Sequence, residues 1–371
     1  MKPLNNITIL DFTTLLPGPL ATLMLCDAGA NVIKIEKKGG EELRRTPPFH
    51  KGESILFSML NRGKKSVEID LKDETAYKKI LNLVKSSDVL VEQFRPGVMK
   101  RLRLDWKTIK KVNKKIVYCS ISGYGQKGLK SPYAGHDLNY MAESGLLSLS
   151  KNADGTPIIP ATQVADIAGG TYPAFTNILL ALFKAQKTGY GTYLDISMYE
   201  NLIPLSLLSL ALELFNKRPL NKKELYLNGA SPRYNIYETK DNKFLALGAL
   251  EDKFWKNFCK IIDAPASIVN ENLGPEKTIF AVKRIIFEKT STYWRKKFNN
   301  EKNVCCTLVE NVNNILKDKH IIDKKIFNRK VSLKGRLIPL VPTSIDKNLS
   351  VLKNKNISPS LGQHNHLIKK L

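Results

Sequence analysis

Over the first 130 positions, short apolar runs alternate with amphipathic stretches. Residues 7–12 form a run of strand-forming side chains, and Pro17-Gly18-Pro19 ends it. Leu20, Leu23 and Met24 then recur at helical spacing, with Gly29 placed to stop the helix. Residues 32–35 and 67–71 are the next two strand candidates. Asp73 stands where it can cap a helix whose apolar side carries Ala76, Ile80, Leu83 and Val84. Residues 88–91 and 116–121 are further buried strands. This order of strand, helix, strand predicts a parallel α/β sheet.

From 131 the pattern changes. Gly, Ser and Ala dominate, then residues 177–183 turn helical, and 193–196 read as one more strand. A long apolar helix is expected over 202–215, followed by a linker at 216–224. A lysine-rich unit follows with its own aromatic set (Phe254, Trp255, Phe258, Phe287, Trp294, Phe298). The chain after about 335 reads as loop. The expected division is a large α/β domain at 1–215, completed by 335–371, and a linker with a smaller domain at 216–334.

Charge changes the picture only in part. The 371 residues carry 59 Lys plus Arg against 34 Asp plus Glu, a formal net charge of +25. That balance invites a nucleic-acid or membrane-surface reading. Residues 131–215, however, hold three bases against seven acids, net −4, so the remainder carries +29. The lysines are spread over both units and are not gathered on a face interleaved with aromatics. No nucleic-acid or membrane partner is expected. The chain starts directly on strand-like 7–10, and its longest apolar stretches (172–183 and 202–215) fall short of the ~20 residues of a spanning helix. The five cysteines are odd in number and form no CxxC pair. A cytoplasmic protein without a structural metal is expected. The Lys369-Lys370-Leu371 tail departs at its first position from a peroxisomal Ser-Lys-Leu signal.

Four places carry candidate chemistry. Gly123-Tyr124-Gly125-Gln126-Lys127-Gly128 satisfies GxGxxG after a strand. A dinucleotide fingerprint must open a helix directly, and Pro132 opposes that, so we expect a glycine-rich ligand loop. His136 sits between Gly135 and Asp137. It reads either as a loop histidine satisfied by its neighbour or as a general base, since an imidazole titrates near neutrality. Asp166, in a context of small and apolar residues, reads either as a helix-entry cap or as an acid, base or nucleophile. A helix N-terminus lowers a carboxyl pKa and burial raises it, so an acid role requires burial to win. Glu251, entering a helix from a strand, reads either as an N-terminal carboxylate or as part of a site.

Together these pieces resemble the family III CoA-transferases, and within them the α-methylacyl-CoA racemases. The resemblance runs nearly end to end. It is carried by Leu16-Pro17-Gly18-Pro19, Asp27-Ala28-Gly29-Ala30, Phe94-Arg95-Pro96-Gly97, Ser122-Gly123-Tyr124-Gly125, Thr188-Gly189-Tyr190-Gly191 and Leu361-Gly362-Gln363-His364. The racemase-like part is Gly135-His136-Asp137-Leu138-Asn139-Tyr140, Gly248-Ala249-Leu250-Glu251, and Glu92 ahead of Phe94. The resemblance implies a Rossmann-like large domain with a smaller α+β domain in an interlocked homodimer, with Glu251 reaching across from the partner. It also implies an acyl-CoA thioester held by Lys37, Ile69, Asp70, Leu71, Lys72, Arg95 and the loop from Gly135 to Tyr140. Neither a redox cofactor nor a metal is implied.

Inverting a 2-methyl centre takes one group to remove the C2 proton and another to return one on the opposite face. His136 and Asp166 would be that pair, Glu251 orienting and Asp137 tuning His136. The alternative is CoA transfer through an Asp166 acyl anhydride, for which His136 is superfluous. Three departures stand out. Arg233 replaces an aromatic residue of the racemase pattern, Lys37-Lys38 replace Arg-Pro, and Pro173 falls inside the helix after Asp166, where it is expected to become the first helical residue and lengthen the turn that carries Asp166.

Overall fold

The computed structural model describes every residue except Met1, Ala153, Lys222, Lys223, Asn300, Lys370 and Leu371. The expected linker at 216–224 and the Lys369-Lys370-Leu371 tail thus lie partly outside the described residues. The chain divides into two compact units, Met1–Leu205 with His320–Leu371, and Ser206–Lys319. The sequence reading cuts at 215 and 334.

The first unit is built on six strands: β1 (Thr8–Asp11), β2 (Asn31–Glu36), β3 (Lys65–Glu68), β4 (Val89–Glu92), β5 (Val117–Ser122) and β6 (Tyr193–Ser197). They lie in the order β3-β2-β1-β4-β5-β6, and every pairing is parallel. The apolar runs are continuous because both faces are covered. Ile9, Val32, Val89 and Val117 feed one core, and Leu10, Ile33, Leu90 and Tyr118 feed the other. Helix α1 (Pro17–Asp27) packs with the first core through Ala21 and Leu25. Helix α2 (Glu74–Lys85) joins the second through Ile80, Leu83 and Val84, capped by Asp73 through the Ala76 N–H at 2.7 Å. The winding reverses between β1 and β4. Loops leaving their carboxyl ends therefore diverge and open a crevice, the usual ligand position of such sheets.

Three expectations need correction. Strand β3 begins at Lys65 and stops at Glu68, where 67–71 was expected. Ser66 belongs to the sheet because its hydroxyl donates to Glu36 at 2.7 Å, a partnership that hydropathy does not register. The tail is more than loop. Lys330–Leu333 pairs with Arg336–Pro339 and Lys355–Ile357, and the end of the chain docks on the β3 edge. There the His364 N–H donates to the Ser66 carbonyl at 2.8 Å, and Asn365 Oδ1 accepts the Glu68 N–H at 2.9 Å. The apolar helix expected over 202–215 is two elements, a 3₁₀ stretch Glu200–Ser206 containing Pro204 and then an α-helix Leu207–Asn216. Proline removes a helix donor and crowds the preceding turn.

The second unit has a three-stranded antiparallel sheet of Tyr234–Glu238, Phe244–Gly248 and Cys306–Leu308, with Phe244–Gly248 central. Trp255, Phe258, Val282, Ile286 and Trp294 fill its core. The helix Leu207–Asn216 buries none of its residues. Leu207, Leu214 and Phe215 are 66%, 70% and 84% exposed, an apolar surface of the kind that marks an interface.

Candidate active site

The crevice at the sheet's reversal holds two cavities. The first, about 180 Å³, is lined by Leu15 and Pro17 after β1, Gln93 to Pro96 after β4, Ser122 to Tyr124 after β5, and by Gly135, His136, Tyr140 and Asp166. The second, about 590 Å³, is lined by Phe12 and Thr14, by Glu36, Lys37, Lys38 and Glu42 after β2, and by Ile69 to Lys72 after β3. Phe94 lines both. Ten of the twelve predicted site residues therefore fall into two sets, while Asp137 lines neither cavity and Glu251 belongs to the second unit. Arg95, Gly135, His136, Tyr140 and Asp166 share the first cavity, and Lys37, Ile69, Asp70, Leu71 and Lys72 share the second.

His136 is the N-cap of a short helix, α3 (Asp137–Glu143), and its N–H is held by Asn139 Oδ1 at 3.0 Å. Tyr140, one turn on, donates its hydroxyl to the Gly135 carbonyl at 2.5 Å. Its ring occupies the space a Cβ on Gly123 would take, 2.5 Å from the hydroxyl. The first glycine of the GxGxxG match thus makes room for Tyr140. No helix opens after Gly128, in keeping with the sequence reading.

Asp166 stands in the first turn of a π-helical segment, Ala165–Thr171, which runs into helix α4 (Tyr172–Thr188). Pro173 is the second residue of α4, not the first as expected, and the turn before it is wide. The Asp166 N–H donates to Asp137 Oδ1 at 2.9 Å. Burial first, and then the Asp137 charge, push the Asp166 carboxyl up to about 6, while His136 pulls it down. Burial is thus the largest of the causes acting on this carboxyl. Burial and Asp166 likewise push the Tyr140 phenol up to about 12.

Two features behind the wall have roles that sequence patterns do not show. Glu92 is buried at the end of β4. It accepts the Phe94 N–H at 2.8 Å and a short hydrogen bond from Ser120, and burial pushes its carboxyl up to about 7, with Asp195 adding to the rise. It thereby anchors the loop that carries Phe94 and Arg95. Leu15 has φ +60°, strained for a leucine, and a buried ion network holds it. Glu41 accepts the Leu15 N–H at 2.8 Å and pairs with Lys34 at 2.9 Å, and Lys34 Nζ donates to the Thr13 carbonyl at 2.8 Å. Lys64 pairs with Asp11 at 3.0 Å. Burial alone would raise Asp11, but Lys64 and Lys34 bring it down to about 2. Long-range ion networks of this kind leave no periodic trace in a sequence.

In the second cavity, Lys37 pairs with Glu42, and Asp70 Oδ1 accepts the Lys72 N–H at 2.9 Å. Glu251 belongs to the second unit, as N-cap of the helix Asp252–Ile261 after the strand Phe244–Gly248. Arg233 is held by Asp252 at 2.7 Å, by Glu271 at 2.5 Å and by the Leu250 carbonyl at 2.9 Å. These bonds engage its guanidinium within its own unit.

Comparison with known proteins gives four results. A model of CoA-transferase family III matches residues 4–365. Human α-methylacyl-CoA racemase is 29% identical over 366 residues, covering 97% of this chain and 91% of that protein. Human succinyl-CoA:glutarate CoA-transferase is 35% identical over 272 residues, covering 73% of this chain and 61% of that protein. Among solved structures, Rv3272 from M. tuberculosis superposes with a TM-score of 0.84 at 25% identity, covering 99% of each chain.

Proposed function

This chain belongs to CoA-transferase family III, and from that membership we propose that it racemises 2-methylacyl-CoA thioesters by proton transfer at C2 between His136 and Asp166. One observation carries the reading. An imidazole and a half-buried carboxyl that keeps its proton up to a pH of about 6 stand on the wall of one small cavity at the reversal of the sheet.

In this reading one of the pair takes the C2 proton, and the electron pair moves onto the thioester oxygen. The other then returns a proton to the opposite face and the enolate collapses. Arg95, the one lysine or arginine among the described residues of that wall, offsets the enolate charge. Asp137 tunes the pair through the charge and hydrogen bond it presents to Asp166. The larger cavity takes CoA, with Lys37 and Lys72 towards its phosphates and Ile69 and Leu71 against its apolar parts. The chemistry calls on no metal or redox cofactor. We further propose a cytoplasmic homodimer whose partner contributes Glu251. The exposed apolar helix Leu207–Asn216 supports a covering second copy, and five free cysteines fit a reducing compartment. Among the described residues, no helix is long and apolar enough to cross a membrane.

A second reading is CoA transfer. Asp166 attacks the thioester carbonyl to form an anhydride, and CoA leaves as the thiolate. The thiolate attacks the Asp166 carbonyl of that anhydride and frees the donor acid. The acceptor carboxylate then displaces CoA to form a second anhydride, and the thiolate takes the acceptor's acyl group and releases Asp166. Its support is that Asp166 is ionised above a pH of about 6, the form a nucleophile needs. Alanine variants separate the readings. Racemisation requires that His136→Ala and Asp166→Ala both abolish exchange at C2. Transfer requires that Asp166→Ala abolish and His136→Ala spare the passage of CoA to a free acid.

A further inference from the structure

The π-helical turn that carries Asp166 is costly to keep. In an α-helix the Gly169 carbonyl would accept from the N–H of residue 173, but residue 173 is a proline and has none. A carbonyl inside a protein is costly to leave without a partner, and a side chain can supply the donor that proline lacks. Asn201 does: its Nδ2 donates to the Gly169 carbonyl at 2.9 Å.

The surroundings make this contact specific. Asn201 stands on the 3₁₀ stretch Glu200–Ser206, just beyond β6. The backbone ahead of it is pinned to the cavity wall, with Met198 N–H on the Ser122 carbonyl and Tyr199 N–H on the Gly123 carbonyl, both at 2.9 Å. Gly169 approaches so closely that a Cβ would lie 2.5 Å from the Met198 carbonyl oxygen. The turn therefore cannot shift towards β6. On its other side the Thr171 hydroxyl donates to the Pro17 carbonyl at 2.8 Å, and Pro17 lines the same cavity as Asp166. Wide turns of this kind recur at functional sites because they displace a side chain from the regular helix path.

We propose that Asn201 is a positioning residue, its amide replacing the donor that Pro173 lacks and so fixing the wide turn that holds Asp166 at the cavity. This deepens the reading above and rests on Asp166 being the working carboxylate. The bond acts on the turn, so the loss of Asn201 impairs the chemical step more than the binding of CoA, whose cavity is lined from other loops.

The test is a double-variant cycle of Asn201→Ala and Pro173→Ala in the full chain, read two ways. Amide hydrogen exchange followed by mass spectrometry reports on residues 164–172 without any substrate. Steady-state kinetics with a 2-methylacyl-CoA report kcat and KM. Asn201→Ala is expected to speed exchange in that segment about tenfold or more. It is also expected to lower kcat about tenfold while KM stays within about twofold. Pro173→Ala restores a backbone N–H that faces Gly169 in an α-helical turn, so the double variant is expected to regain most of both losses. A segment that exchanges as in the parent overturns the proposal. So does a kcat within about twofold of the parent, or a double variant no better than Asn201→Ala. If the parent neither exchanges C2 nor transfers CoA, the role of Asp166 falls, and exchange in 164–172 still decides whether Asn201 holds the turn.

Discussion

Asp137→Asn isolates one physical cause of the unusual Asp166 carboxyl. Asparagine keeps an Oδ1 able to accept the Asp166 N–H, so the 2.9 Å bond and the turn survive. Only the charge is removed. The rise of Asp166 from 3.8 to about 6 corresponds to about 3 kcal/mol in favour of the neutral acid. Burial supplies the larger share and the Asp137 charge the next. Removing that charge should therefore lower the Asp166 midpoint by about half to one pH unit. The pH dependence of carbodiimide labelling at Asp166, which requires the protonated carboxyl, reads this directly by mass spectrometry. The acid limb of the kcat/KM profile should move down by the same amount. The sign for stability follows from linkage. A carboxyl whose folded pKa is raised stabilises the fold below its unfolded pKa, and that contribution is lost as pH rises through about 6. Asp137→Asn should therefore be up to about 1 kcal/mol more stable near pH 7 than electrostatics allows the parent to be. A labelling midpoint that stays put, or moves up, refutes the assignment of Asp137 as a cause.

Further outcomes follow from other residues. Glu92→Gln keeps an acceptor for the Phe94 N–H and should leave KM for the thioester within about twofold, whereas Glu92→Leu strands that N–H and the Ser120 hydroxyl and should raise KM about tenfold in steady-state assays. Asp11→Asn leaves Lys64 buried without its carboxylate and should cost about 3 kcal/mol in a denaturant melt, or leave no folded protein. Because Asp11 is held near 2, its contribution in the parent persists through mild acid and is lost only as pH falls through about 2. Glu42→Gln frees the exposed Lys37 ammonium and should tighten CoA binding a few-fold by calorimetry, an effect that shrinks with added salt.

Much of the parallel sheet was legible because its strands are buried on both faces and its first helix is bounded by Pro17 and Gly29. Strand β3 was misplaced because Lys65 and Ser66 are polar, and the bonds that hold buried Ser66 come from Glu36 and His364, which are far away in the sequence. His136 and Asp166 could be found as chemically able residues, and Pro173 flagged a wide turn ahead of α4. Their shared cavity could not be read, since 30 residues of chain separate them and the sheet brings them together. Asn201 carried no signal. Its role exists only because the end of β6 returns beside Gly169. The charge excess divides in the same way. Lys34 and Lys64 are committed to the buried network, Lys37 and Lys72 face the larger cavity, and most of the remaining lysines stand on the surface.

The central claim is that C2 of a bound acyl-CoA exchanges its proton through His136 and Asp166. It is tested most directly by incubating the protein with one enantiomer of a 2-methylacyl-CoA in deuterium oxide, with and without a free acceptor acid, and analysing the thioester by mass spectrometry and chiral separation. The predicted result is one deuterium at C2 and growth of the opposite enantiomer without the acceptor, both absent in His136→Ala. A thioester that stays unlabelled while CoA passes to the acceptor acid would contradict the racemase reading and leave Asp166 as a nucleophile.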